Sequence, residues 1–101
     1  MKQCCKEYLM EQFGDEDVVN EIYAEYANSI QEKLPEIEAA LAAEDWTSLD
    51  RLAHAVKGNA LAAGDTAISD TAIAMRAAAK MSEKNTAASL LANLKELAKE
   101  I

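Results

Sequence analysis

The chain holds one histidine, one proline, one tryptophan, three glycines and two cysteines, and these scarcities exclude a good deal. So few helix breakers, in a composition rich in Ala, Leu, Glu and Lys, favour helix strongly. No strand-like alternation, internal repeat or low-complexity tract interrupts the pattern. Cys4 and Cys5 are adjacent, which rules out an ordinary unstrained disulfide between them, and no third cysteine offers a partner. A metal site needs more ligands than two thiols and one histidine, so both read as incidental or packing thiols in a reducing compartment. Basic residues are also short: 10 Lys and Arg against 18 Asp and Glu give a net charge of -8. That balance argues against nucleic acid or an anionic membrane as partner, because both demand basic surface. No apolar run approaches a membrane span. The N-terminal MKQCCKEYLMEQFG has no continuous apolar stretch, so no signal peptide is read and the chain is expected in the cytoplasm.

At 101 residues, half of them hydrophobic, the chain is expected to be one soluble domain over residues 1–101. Residues from about Lys2 to Phe13 suit a short amphipathic helix with Tyr8, Leu9 and Phe13 as apolar contacts, ended by Gly14. Asp15 is a good N-cap for a long second helix, in which Val19, Ile22, Tyr23, Tyr26, Ile30, Leu34, Ile37 and Leu41 recur at helical spacing. Pro35 falls inside this pattern and is expected to kink the helix near Lys33 without splitting it. Thr47 or Ser48 is the expected cap of a third helix reaching Ala63, with a turn at Gly64 and Asp65. A fourth helix is expected from Thr66 to Met81, burying Ile68, Ala72, Ile73, Met75 and Ala79. After a polar loop from Ser82 to Asn85, a last helix from Thr86 carries Leu90, Leu91, Leu94, Leu97 and Ile101. Short connections imply antiparallel neighbours. The expected fold is therefore all-α, an antiparallel up-and-down four-helix bundle with an additional short N-terminal helix.

The single histidine stands in LAHAVKGNALAAG, from Leu52 to Gly64. At about 100° per residue, Leu49, Leu52, Val56, Ala60 and Ala63 gather on one side as a core stripe. His54 lies opposite, among Thr47, Asp50, Arg51, Lys57, Gly58 and Leu61. At cytoplasmic pH an exposed imidazole is largely neutral, with a lone pair on one ring nitrogen, and is a competent nucleophile toward an activated phosphoryl group. Gly58, inside a helix and on the polar side, costs about 1 kcal/mol relative to alanine. No core packing asks for it there; its use is to clear space one turn from His54. Lys57, three residues after His54, can reach and partly neutralise a phosphoryl group on the ring. Leu61, an apolar residue on a polar face, suits docking, and Asp50 and Arg51 complete that face.

Together these residues resemble a known family. HAVKGNALAAG has the pattern His-x-x-Lys-Gly-x-x-x-x-x-Gly of histidine-containing phosphotransfer (HPt) domains, and GDEDVV, AALAAEDWTSLDRLAH and the helical stretch to Met81 are also similar to that family. The resemblance implies that His54 accepts and donates phosphoryl groups to and from aspartates of response-regulator receiver domains. It implies that Lys57 stabilises phosphohistidine, Gly58 clears space and Gly64 allows the tight turn after the helix. Asn59 stands where the family usually has serine or alanine, on a flank that suits a hydrogen bond to another helix. Arg76 stands where glutamine or glutamate is frequent, and adds positive charge near the phosphoryl group if it faces His54. The implied partners are receiver domains and a hybrid histidine kinase. No cofactor is expected in this chain, Mg²⁺ is expected on the receiver, and the chain is expected to be a monomer without kinase activity of its own.

Other readings are weaker on the sequence. Within the same fold class, the chain could instead be the phosphate-accepting domain of a chemotaxis-type histidine kinase, cut from a longer protein, although the start at Met1 and the helix closing at Ile101 favour an independent unit. A receiver-binding module without phosphotransfer has no need of both His54 and Lys57. An enzyme using His54 as general base lacks a second histidine and an adjacent nucleophile.

Overall fold

The computed structural model describes residues Met1–Ile101 as five helices and no strand: α1 (Gln3–Phe13), α2 (Glu16–Ala42), α3 (Trp46–Ala63), α4 (Thr66–Lys80) and α5 (Lys84–Ala98). α3 packs on α2 and α4, α5 packs on α4 and α2, and α1 lies against α2 and α3. The four longer helices thus close a ring around one core, and α1 is added outside it. The molecule is elongated, 42 × 20 × 19 Å, about the length of the 27-residue α2 at 1.5 Å per residue.

Three aspartates begin three of the helices, for the same physical reason. A short carboxylate just before a helix accepts hydrogen bonds from N–H groups that have no partner within the first turn. Asp15 accepts from the amides of Asp17 and Val18, Asp45 from that of Ser48, and Asp65 from that of Ile68. The cap of α3 is therefore Asp45, and neither Thr47 nor Ser48 fills that role. Ser48 is instead the third helical residue, and its hydroxyl donates to Asp45 Oδ2 at 2.6 Å. These two bonds hold the Asp45 carboxyl below the usual carboxylate range.

α2 runs unbroken through Pro35. A mid-helix proline forfeits a backbone hydrogen bond, a cost of about 3 kcal/mol. Ile30 before it and Ile37 and Leu41 after it are buried in the same core, and that shared burial keeps one helix. α5 starts at Lys84, two residues earlier than the spacing predicts, after Ser82 turns the chain with a φ of 53°. Two apolar residues expected inside are outside: Phe13 is 52% and Ile73 49% exposed. Phe13 is the last residue of α1, and Ile73 lines an open groove with Lys57 of α3 instead of entering the core. Cys5 and Ala53, by contrast, are fully buried. Burial, then the nearby Asp65 charge, pushes the Cys5 thiol up to about 12, so it stays protonated as a packing group.

The turn between α3 and α4 is fixed from two sides. Gly64 has a φ of +75°, and a Cβ there would sit 2.5 Å from Cβ of Tyr8, so α1 presses directly on the turn. Asp65 follows, with no exposed surface. Its two oxygens receive Lys2 Nζ at 2.8 and 3.0 Å, and Oδ2 also accepts the Tyr26 hydroxyl at 2.8 Å. The Lys2 amide in turn donates to the Tyr23 hydroxyl. One carboxylate thereby joins the start of the chain, α2 and α4, and every buried polar side-chain atom has a partner. Burial tends to lower the pKa of the Lys2 ammonium, but the hydrogen bonds and charge of Asp65 outweigh it and hold the group above its ordinary range.

Removing one member of a buried ion pair strands the other. Lys2→Met is expected to lower the unfolding free energy by about 3 kcal/mol, and Lys2→Met/Asp65→Asn by less, as read from urea denaturation. Because the folded-state pKa of Lys2 is raised, its contribution is complete at neutral pH and is lost as the pH climbs through the alkaline range where Lys2 deprotonates. The gap between wild type and Lys2→Met should close over that range.

Candidate functional site

α3 is amphipathic in the simplest way: Leu49, Ala53, Val56, Ala60 and Ala63 are buried, and the opposite side is left to solvent. His54 is exposed on that outer side and lines none of the five surface grooves. One turn on, Gly58 is exposed as well. A Cβ built there meets nothing within 4 Å, so no neighbour within the chain requires glycine at that position. Lys57 is half-buried, and Leu61 is 51% exposed a further turn along.

α4 brings a second row of residues alongside. Lys57 shares a groove of about 350 Å³ with Ile73, Arg76, Ala77 and Lys80. Three cations therefore line one groove of a chain whose net charge is -8. Arg76 Nε donates to Asp50 Oδ1 at 3.0 Å, so its charge is already paired, across the two helices, with the carboxylate one turn before His54. Asp50 and Lys57 bracket His54 in the sequence of α3, and Arg76 is bonded to the one and shares a groove with the other. Arg51 is exposed at the edge of this face and lines a different groove, with Asp45, Ser48 and Leu52.

Asn59 belongs to the other flank of α3. Its Nδ2 donates to the Ser29 hydroxyl of α2 at 2.7 Å, tying α3 to the long helix. Gly64 lies at the far end of α3 from the cations and serves the turn and its packing on Tyr8. The structure therefore gathers Asp50, His54, Lys57, Gly58, Leu61 and Arg76 on one surface, leaves Arg51 at its edge and sets Asn59 and Gly64 apart from it. Two members of that surface were not singled out by sequence reasoning, Lys80 and Ile73. Their signal was present: Ile73, Arg76, Ala77 and Lys80 stand at i, i+3, i+4 and i+7, one stripe of a helix.

No group of three or more His, Cys, Asp or Glu side chains converges to hold a metal ion. No helix is long and apolar enough to cross a membrane. The chemistry available is that of one accessible nucleophile, an exposed imidazole with Lys57 three residues on and open space at Gly58 one turn away. In comparisons with known proteins, no curated protein and no solved structure matches the chain. Residues 21–101, from early in α2 to the end of the chain, match the family described as Hpt domain. An exposed histidine on a helix, its Lys-Gly pair one turn on, and this match over most of the sequence lead to one conclusion: the chain belongs to the Hpt domain family, histidine phosphotransfer modules of phosphorelays.

Proposed function

We propose that His54 carries a phosphoryl group between aspartates of response-regulator receiver domains, with a hybrid histidine kinase upstream. The observation that carries this reading is the exposure of His54 on α3, with Lys57 and the empty position at Gly58 one turn away. A docked receiver presents its phospho-aspartate in line with the imidazole. The ring-nitrogen lone pair forms the N–P bond as the P–O bond to the aspartate breaks, and the carboxylate leaves with its electron pair. The ring keeps its other N–H, and the positive charge this places on the imidazole makes the N–P bond easy to break in the reverse transfer. Lys57 lies near enough to offset charge on the phosphoryl oxygens, and Arg76 adds to it from α4. Gly58 leaves room for the receiver, and Leu61 gives that receiver an apolar contact beside the reacting atoms, with Asp50 and Arg51 at its edge. Mg²⁺ belongs to the receiver in this reading, and this chain needs no cofactor of its own. We read the ring of helices, joined by two- and three-residue connections, as an antiparallel up-and-down bundle acting as a monomeric cytoplasmic carrier without kinase activity.

Incubation with a receiver carrying a labelled phosphoryl group should move label to this chain, and His54→Gln should abolish that movement. Transfer that persists in His54→Gln contradicts the proposal. Gly58 separates stability from function. Gly58→Ala should raise the unfolding free energy by about 1 kcal/mol, because its methyl group meets no neighbour and helix propensity improves. A bulky Gly58→Gln should slow transfer from the receiver by tenfold or more, an estimate of order ~1.4 kcal/mol in the docked complex, with the fold intact by circular dichroism. Undiminished transfer by Gly58→Gln removes Gly58 from the docking face.

A further inference from the structure

We propose that Asp50 acts through Arg76 as a positioning residue that loosens the hold on the phosphoryl group of His54: its carboxylate binds the Arg76 guanidinium and competes with the phosphoryl group for it. This rests on the reading of His54 as the phosphoryl carrier. Asp50 precedes His54 by four residues, so the two side chains are neighbours on the surface of α3, with Cβ atoms about 6 Å apart. The Asp50 carboxylate takes only the Nε donor of Arg76, at 3.0 Å, and no other protein acceptor uses the guanidinium. Its terminal N–H groups are thus free for a second acceptor, and the planar fork of arginine suits a phosphoryl group.

The pair is also accessible enough to exchange. The side chains of Asp50 and Arg76 are 31% and 26% exposed, so neither charge is locked into the core. Before transfer, Asp50 balances Arg76 and leaves Lys57 and Lys80 as the uncompensated cations of the groove. Once His54 bears a phosphoryl group, a more highly charged acceptor stands one turn from Asp50, and Arg76 divides its donors between the two. Asp50 therefore weakens the hold on the phosphoryl group. A carrier that must give its cargo away is served by such a competitor. A site of cations alone would retain the group.

The test compares wild type, Asp50→Asn, Arg76→Ala and the double variant, each phosphorylated with the small-molecule donor phosphoramidate and followed by ³¹P NMR. Each is then equilibrated with a receiver to read the partition of the phosphoryl group. Asp50→Asn should shift the partition toward this chain by about threefold, the scale of a partly exposed ion pair, and lengthen the phosphohistidine half-life. Arg76→Ala should shift both the other way, and adding Asp50→Asn to Arg76→Ala should then change neither. An Asp50→Asn effect that survives in the Arg76→Ala background shows plain repulsion between carboxylate and phosphoryl group, and overturns the proposal. An Asp50→Asn protein that partitions and decays like wild type overturns it too, and leaves the carrier reading standing. If wild type takes no phosphoryl group on His54, the carrier reading itself fails.

Discussion

The buried carboxylate of Asp65 is the interaction on which the arrangement of this chain depends. It caps α4, accepts the Tyr26 hydroxyl of α2 and pairs with the Lys2 ammonium, all at the turn that ends the histidine-bearing helix. Burial pushes the Tyr26 phenol upward, with the Asp65 bond and charge adding to the shift, so Tyr26 remains a donor. A turn pinned in this way sets how α4 lies along α3. That alignment brings Arg76 to Asp50 and makes one groove of Lys57, Arg76 and Lys80. The site is therefore built at a distance, by packing that never touches it.

The acidity of the chain gives this local arrangement its meaning. With a net charge of -8, the domain as a whole repels a phosphoryl group, and long-range attraction cannot deliver one. In the proposed function, delivery falls to a docked partner and retention to the few cations near the ring. Asp50 takes up part of even that positive charge. On the role proposed for His54 and Asp50, such a surface would accept a phosphoryl group only at short range and hold it loosely, as a relay intermediate requires.

Much of this was legible in the sequence because it depends on short spacings. The core stripe of α3, the exposure of His54 and the emptiness around Gly58 all follow from a 3.6-residue period and the cost of glycine within a helix. What escaped depends on distance along the chain. The bond from Lys2 to Asp65 spans 63 residues and that from Arg76 to Asp50 spans 26, and no local pattern encodes either. Phe13 and Ile73 were expected inside because periodicity marks an apolar position without revealing which neighbour, if any, arrives to cover it. Spacing alone puts the cap of α3 at Thr47 or Ser48, because a cap residue is marked by its type and not by which amides its side chain reaches. The Asp45 carboxylate at the vacant amides decides the matter. Gly64 was read as a turn residue, and the structure adds the close approach of Tyr8, a contact across 56 residues.

The central claim is that one exposed imidazole carries the phosphoryl group, and the bond it forms is chemically distinctive. The most direct measurement is the position and acid lability of the phosphate acquired from a phosphorylated receiver, by peptide mass spectrometry with ³¹P NMR of the intact chain. A single phosphoramidate is expected on the peptide containing His54, lost in acid and kept in alkali. A phosphate that withstands acid, or one located on any other residue, would contradict it.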